Sequence, residues 1–261
     1  MARRPTSSRT RGWSAPRITS PAVTAERSES RTIVVEHTVK AFDDDIGELR
    51  GLIAQMGGLA EQAVGASMVA LKRHDLAAAE EVIAGDKQID ALEMEVERLA
   101  VQLIALRAPL ANDLREVVAA LKIAGVLERI GDYAKNIARR VPAIEDHGDI
   151  EPLSVLPAMA AMASKMVHDV LDAFAARDPD AAIRVCESDR AVDDFYNSLF
   201  RVLVTYMMEN PASIGQVAHL LFIAKNLERV GDHATNVAEM VYYAATGVHM
   251  GERERGATPI H

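Results

Sequence analysis

The chain has 261 residues, 49% hydrophobic and 26% charged, the make-up of a soluble globular protein with apolar side chains enough for one large core or two modest ones. Its formal net charge of -9 argues against a general DNA binder, and its apolar stretches fall far short of the roughly 20 residues that cross a bilayer. A single cysteine, Cys186, cannot close an internal disulfide, which excludes a stapled secreted scaffold and points to a reducing cytoplasm.

Residues 1–33 hold seven Arg against two Glu among many Ser, Thr and Pro, too little apolar surface to fold alone. Residues 1–35 are therefore expected to be a disordered basic extension. A transit peptide, or a basic arm touching nucleic acid or an anionic membrane surface, are the other readings of that composition. From Phe42, apolar residues recur at helical steps through Ile46, Leu49, Ile53, Met56, Ala60, Met68 and Leu71, predicting a long amphipathic helix. Asp75 is the expected N-cap of a second helix with the stripe Ile89, Leu92, Val96, Leu99 and Leu103, ended by Pro109. A third helix runs from about Asn112 to about Val141 and is followed by a polar connector from Pro142 to Pro152.

The pattern then starts again. Met159, Met162, Met166, Val170 and Phe174 mark a fourth helix, and Asp178 followed by Pro179 reads as the cap and first position of a fifth. Its stripe, Val192, Phe195, Leu199, Val202 and Tyr206, lies 103 residues after the stripe that begins at Ile89, and Asp178 keeps that offset from Asp75. Past Pro109 and Pro211 the offset becomes 100. No segment alternates as a strand does. The expected fold is all-α, two tandem three-helix bundles side by side: residues 36–145 and 153–247, with a flexible tail over 248–261.

The third and sixth helices repeat one phrase, ERIGDYAKNIA from Glu128 and ERVGDHATNVA from Glu228. In each, Glu, Asp and Asn follow at i, i+4 and i+8: Glu128, Asp132 and Asn136, then Glu228, Asp232 and Asn236. At ~100° per residue these rows face away from the stripes of their own helices, so they are expected to point outward. A solvated face is the ordinary meaning of such a row, but Gly131 and Gly231 inside it each cost ~1 kcal/mol relative to Ala, which solvation does not require. A neighbouring helix, or an ion with its ligands, pressing on the backbone would require them. The second and fifth helices carry acidic pairs, Asp86 with Asp90 and Asp189 with Asp193, that antiparallel packing could bring against the rows. Carboxylates so gathered must be protonated or bridged by cations. Oxygen donors without thiolate suit Mg, Ca, Mn, iron or carboxylate-bound Zn. Because the ends of a row are ~12 Å apart, a fully used row needs two or more ions, or Asn136 and Asn236 acting behind the ligands. His233, matched by Tyr133, reads as surface or interface; Arg129 and Arg229 as ion-pair or phosphate-contacting residues; Asp113 and Arg115 as a helix start; Cys186 as inert core.

The doubled ERIGD and ERVGD phrases, the Asp pairs and the segment LRAPLANDLREV at Leu106 to Val117 resemble the PhoU family over about residues 36–246. The resemblance implies tandem three-helix bundles, multinuclear iron or zinc clusters on their surface and a homodimer. It also implies a cytoplasmic, non-enzymatic regulator that restrains the phosphate ABC transporter through its ATPase and membrane subunits. Through a phosphate-sensing histidine kinase, such a regulator represses the starvation response. By motif match the metal positions are Asp86, Asp90, Glu128, Asp132 and Asn136, and Asp189, Asp193, Glu228, Asp232 and Asn236. No nucleic-acid partner is expected, and membrane association only through partners. The alternatives are a carboxylate-bridged metalloenzyme, against which the missing Glu-x-x-His pairs speak, and a metal-free helical adaptor.

Overall fold

The computed structural model describes residues 26–144 and 151–251. Six long helices account for almost all of them: α1 (Glu26–Arg73), α2 (Leu76–Arg107), α3 (Ala111–Ala138), α4 (Leu156–Ala176), α5 (Pro179–Glu209) and α6 (Ile214–Thr246). Short 3-10 turns at Val141–Ala143, Glu151–Val155 and Pro211–Ser213 join them, and there is no strand among the described residues. The chain divides after Ala41 into two units. Of the first, helical backbone is described from Glu26, inside the segment expected to be disordered; residues 1–25, and 252–261 of the expected tail, lie outside the described residues. The second unit, Phe42–His261, holds everything below.

Within it the duplication is visible in local geometry. Asp75 caps α2 by accepting a hydrogen bond from the Ala78 amide at 3.0 Å, and Asp178 caps α5 by accepting from Asp180 and Ala181 at 2.9 and 3.0 Å; each such cap stabilises by ~1 kcal/mol. The residue before each cap, His74 and Arg177, turns the chain in the left-handed region with φ of 49° and 53°. The Asp amides then close the same turn on the carbonyls of Ala70 and Ala173.

α4, α5 and α6 pack on one another, α3 packs on α2, and α3 also packs on α6. α3 and α6 run antiparallel. Arg115 near the start of α3 lies against Gly247 at the end of α6, where a Cβ would stand 3.1 Å from its Cζ, and Arg140 after α3 meets His219 and Phe222 early in α6. At the crossing, equivalent residues touch: the rings of Tyr133 and His233 meet edge to face with centroids 5.1 Å apart, which puts an approximate two-fold axis between the repeats. Glu116, only 8% exposed, ties the repeats at one end by accepting from Arg50 of α1 and from Arg177 at the α4–α5 turn.

The repeats are unequal in one respect. Arg107 at the end of α2 pairs with Asp45 at 3.0 Å, so the stretch of α1 around Asp45, which precedes the part matched by α4, reaches the C-terminal end of α2. α4 begins at Leu156 and has no such extension. Equivalent stripe positions accordingly differ: Leu99 is 4% exposed and Val202 52%. Val202 lines an apolar groove of about 600 Å³ with Val155, Phe195, Leu199 and Tyr206.

Candidate functional site

The two glycines of the repeated phrase are explained by helix approach. A Cβ on Gly131 would sit 2.7 Å from Ile89 Cδ1 and 3.6 Å from Asp86 Oδ1; one on Gly231 would sit 3.2 Å from Asp189 Oδ1 and 3.5 Å from Val192 Cγ1. Both positions are buried. The acidic pairs of α2 and α5 are therefore pressed onto α3 and α6, as the spacing allowed.

The rows do not point outward as expected. Asp86 and Asp189 are buried at 5% and 7% exposure, Glu128, Asp132 and Asn136 are half-buried, and the Glu228 side chain is only 12% exposed; Asp232 alone is open. α3 and α6 are each covered on more than one side, by their own repeat and by each other, so the face opposite one stripe becomes the flank of a second seam. Asn136 and Asn236 are half-buried one turn beyond the carboxylates.

In the first repeat Asp86, Asp90, Glu128 and Asp132 are joined by Glu93, a member not singled out in the sequence. Burial, then Asp132, Glu93 and Asp90, push the Glu128 carboxyl up to about 7. Asp90 is raised by burial and Asp86, and Glu93 by burial, Asp90 and Glu97. Lys135 closes the other end of this cluster, hydrogen-bonding to Asp86 Oδ2 and, at 2.9 Å, to Asp132 Oδ1. These two bonds hold its ammonium in the charged form.

In the second repeat one carboxylate oxygen from each of Asp189, Asp193 and Asp232 lies within 4.8 Å of the others. Thr235 stands where Lys135 stands in the first repeat, and its hydroxyl donates to the Asp232 carbonyl at 2.6 Å. Lys225, where the first repeat has Gly125, donates to Glu228 Oε1 at 2.5 Å. Glu228 is raised by burial against this lysine's pull, and its Oε2 is buried without a hydrogen-bond partner. Between the clusters, His233 Nδ1 donates to the Arg229 carbonyl at 2.9 Å, leaving Nε2 to accept from the Tyr133 hydroxyl at 3.4 Å. The Arg229 guanidinium lies 5.9 Å from the Tyr133 ring centroid. Cys186 is half-buried with Sγ 3.9 Å from the Thr235 carbonyl.

Three clustered carboxylates from two helices, beside a buried Glu228 oxygen with no hydrogen-bond partner, suit a hard or borderline divalent cation. Lacking thiolate or imidazole among these donors, the set does not suit a soft metal.

The PhoU domain model matches residues 53–141 and 156–241, one copy on each repeat. The chain belongs to the PhoU family. It is 58% identical over 222 residues to the phosphate-specific transport system accessory protein PhoU homolog of Zymomonas mobilis, covering 85% of this chain and 94% of that one. The PhoU of Serratia marcescens is 37% identical, over 83% of this chain and 90% of its own. Among solved structures, PhoU from Pseudomonas aeruginosa superposes with a TM-score of 0.76 at 37% identity, covering 79% of this chain and all of that one. The PhoU from Streptococcus pneumoniae gives 0.76 at 28% identity, covering 81% of this chain and 100% of the other.

Proposed function

We propose that the protein is a non-enzymatic regulator of phosphate transport that restrains uptake through the phosphate ABC transporter and represses the starvation response through a phosphate-sensing histidine kinase. It works in the cytoplasm as a homodimer and reaches the membrane only through these partners. The observation that carries this reading is the doubled PhoU domain together with relatives named as accessory proteins of phosphate-specific transport. That no helix among the described residues is long and apolar enough to cross a membrane agrees with an accessory role.

The reading includes an iron or zinc centre, with Mg, Mn or Ca as the other oxygen-loving candidates. In the second repeat Asp189, Asp193 and Asp232 would hold the ion, with Glu228 and Asn236 beside them; Asp86, Asp90, Glu128, Asp132 and Asn136 are the corresponding set of the first. With an ion held there, the charges of Asp189 and Asp193 on α5 and of Asp232 on α6 would be offset and the two helices would be held together. The clusters then serve to set the shape of the regulator.

In cells lacking the native gene, phosphate uptake and a starvation reporter should run unrestrained in phosphate-rich medium, and the wild-type chain should restore restraint. The Asp193→Ala/Asp232→Ala variant should fold, since neither residue is buried, yet restore restraint poorly and retain less metal after tag-free purification. Failure of the wild-type chain would overturn the regulatory reading; full restoration by the variant would overturn the role of the metal.

A further inference from the structure

We propose that Lys135 is a built-in cation that takes the place of one metal ion between Asp86 and Asp132, so that the first repeat holds one ion fewer and the equivalent position in the second repeat, beside α6 next to Thr235, is the one that accepts an ion. This rests on the metal reading of the second cluster given above.

The two repeats provide their own comparison. Asp86 matches Asp189, Asp90 matches Asp193 and Asp132 matches Asp232, so the oxygen donors are the same in kind and spacing. The side chain one turn from the row differs: Lys135 in the first repeat, Thr235 in the second. The Lys135 side chain is 20% exposed, and its ammonium bridges the buried Asp86 to the half-exposed Asp132. It is a positive charge already seated among carboxylates equivalent to those whose oxygens gather within 4.8 Å in the other repeat. Thr235 is too short to reach across and spends its hydroxyl on the backbone of its own helix. An ammonium accepts this role without being removable by chelators, whereas an ion must be acquired. A cation of either kind answers the same requirement, because carboxylates gathered this closely repel one another unless protonated or bridged.

The test exchanges the two residues. Wild type, Lys135→Thr, Lys135→Arg and Thr235→Lys are purified without a chelating tag, stripped, and titrated with Mn²⁺ and Zn²⁺, reading metal per chain and the shift in thermal midpoint. Lys135→Thr should lose stability in chelator, regain it with metal, and bind one further equivalent. Lys135→Arg should keep stability and gain no ion. Thr235→Lys should bind one equivalent less than wild type and lose its metal-dependent shift. If Lys135→Thr binds no more metal than wild type and its stability does not respond to metal, the proposal is overturned, while the second site stands on the wild-type titration. If wild type itself shows neither binding nor shift, and Thr235→Lys behaves like it, the metal reading fails and the proposed inequality falls with it.

Discussion

Replacing Gly131 by Ala tests whether the phrase glycines exist for close packing. Alanine in a helix interior is favoured over glycine by ~1 kcal/mol. At Gly131 that gain is opposed by overlap, since the new Cβ would lie 2.7 Å from Ile89 Cδ1, against the ~3.5 to 4.0 Å of an unstrained carbon contact. Ile89 is 2% exposed and borders a groove of about 480 Å³ beside α1, so relief requires its side chain or α2 to shift; insertions of this size cost ~1 to 3 kcal/mol. The net expectation is a loss between about 0 and 2 kcal/mol. Gly58 supplies the control, being exposed on α1 with nothing within 4 Å of its Cβ position. Gly58→Ala should gain up to ~1 kcal/mol, leaving the variants ~1 to 3 kcal/mol apart, or roughly 2 to 12 °C in thermal midpoint for a chain of this size. Urea unfolding of both, with unchanged m-values, measures the difference. Stabilisation of Gly131→Ala to the level of Gly58→Ala would show that α2 does not press on α3 at this point.

Glu128 gives a pH dependence of defined sign. Its folded pKa of about 7 exceeds the ordinary 4.5, so the folded state binds the extra proton and stability falls as pH rises from about 4.5 to about 7. The ceiling is roughly 3 kcal/mol, brought to ~1 to 2 by solvent screening at a half-buried position. In chelator, Glu128→Gln should gain on wild type by that amount between pH 5 and pH 8; a difference independent of pH would refute it. Glu116→Gln should cost ~1 to 2 kcal/mol in chemical denaturation by weakening two charge-assisted contacts, with Arg50 and Arg177, that tie the repeats together; a change within measurement error would mean solvent already screens the tie.

Much of this architecture was legible because helical period and internal repetition are local signals. Asp75 and Asp178 could be placed as caps from their neighbours alone, and the glycines of the phrase announced a close approach because nothing else justified them. The direction of the acidic rows was misjudged because one helix's stripe defines only one of its contact faces, whereas α3 has contacts with both α2 and α6. Glu93 follows Asp90 at i+3, but its match in the second repeat is Tyr196, so the pattern shared by the repeats does not mark it. Lys135 escaped for the same reason: the informative positions are those where the duplicate differs. The Glu116 tie joins residues 61 and 66 apart in sequence, and no periodicity reports such a pair.

Those differences show how two similar sites can settle their charge by separate means. Asp86, Asp90, Glu93, Glu128 and Asp132 with Lys135 leave a formal charge of 1 - 5 = -4, while Asp189, Asp193, Glu228 and Asp232 with Lys225 leave 1 - 4 = -3. The lysines stand at opposite ends: Lys135 beside the Asp pair's partner Asp132, Lys225 beside Glu228. In the first repeat the surplus therefore collects around Asp90, Glu93 and Glu128, where burial and mutual repulsion lift Glu128 into the neutral pH range, so a proton can carry the compensation. In the second repeat Lys225 pairs with Glu228 at that end, and one oxygen from each of Asp189, Asp193 and Asp232 gathers within 4.8 Å at the other, the group proposed above to take a divalent ion. Acidity should thus act chiefly through the first cluster and metal supply through the second. Because both flank the Tyr133–His233 contact, and Asp132 and Asp232 both act on the Tyr133 phenol, a change in either would be felt at the seam between the repeats.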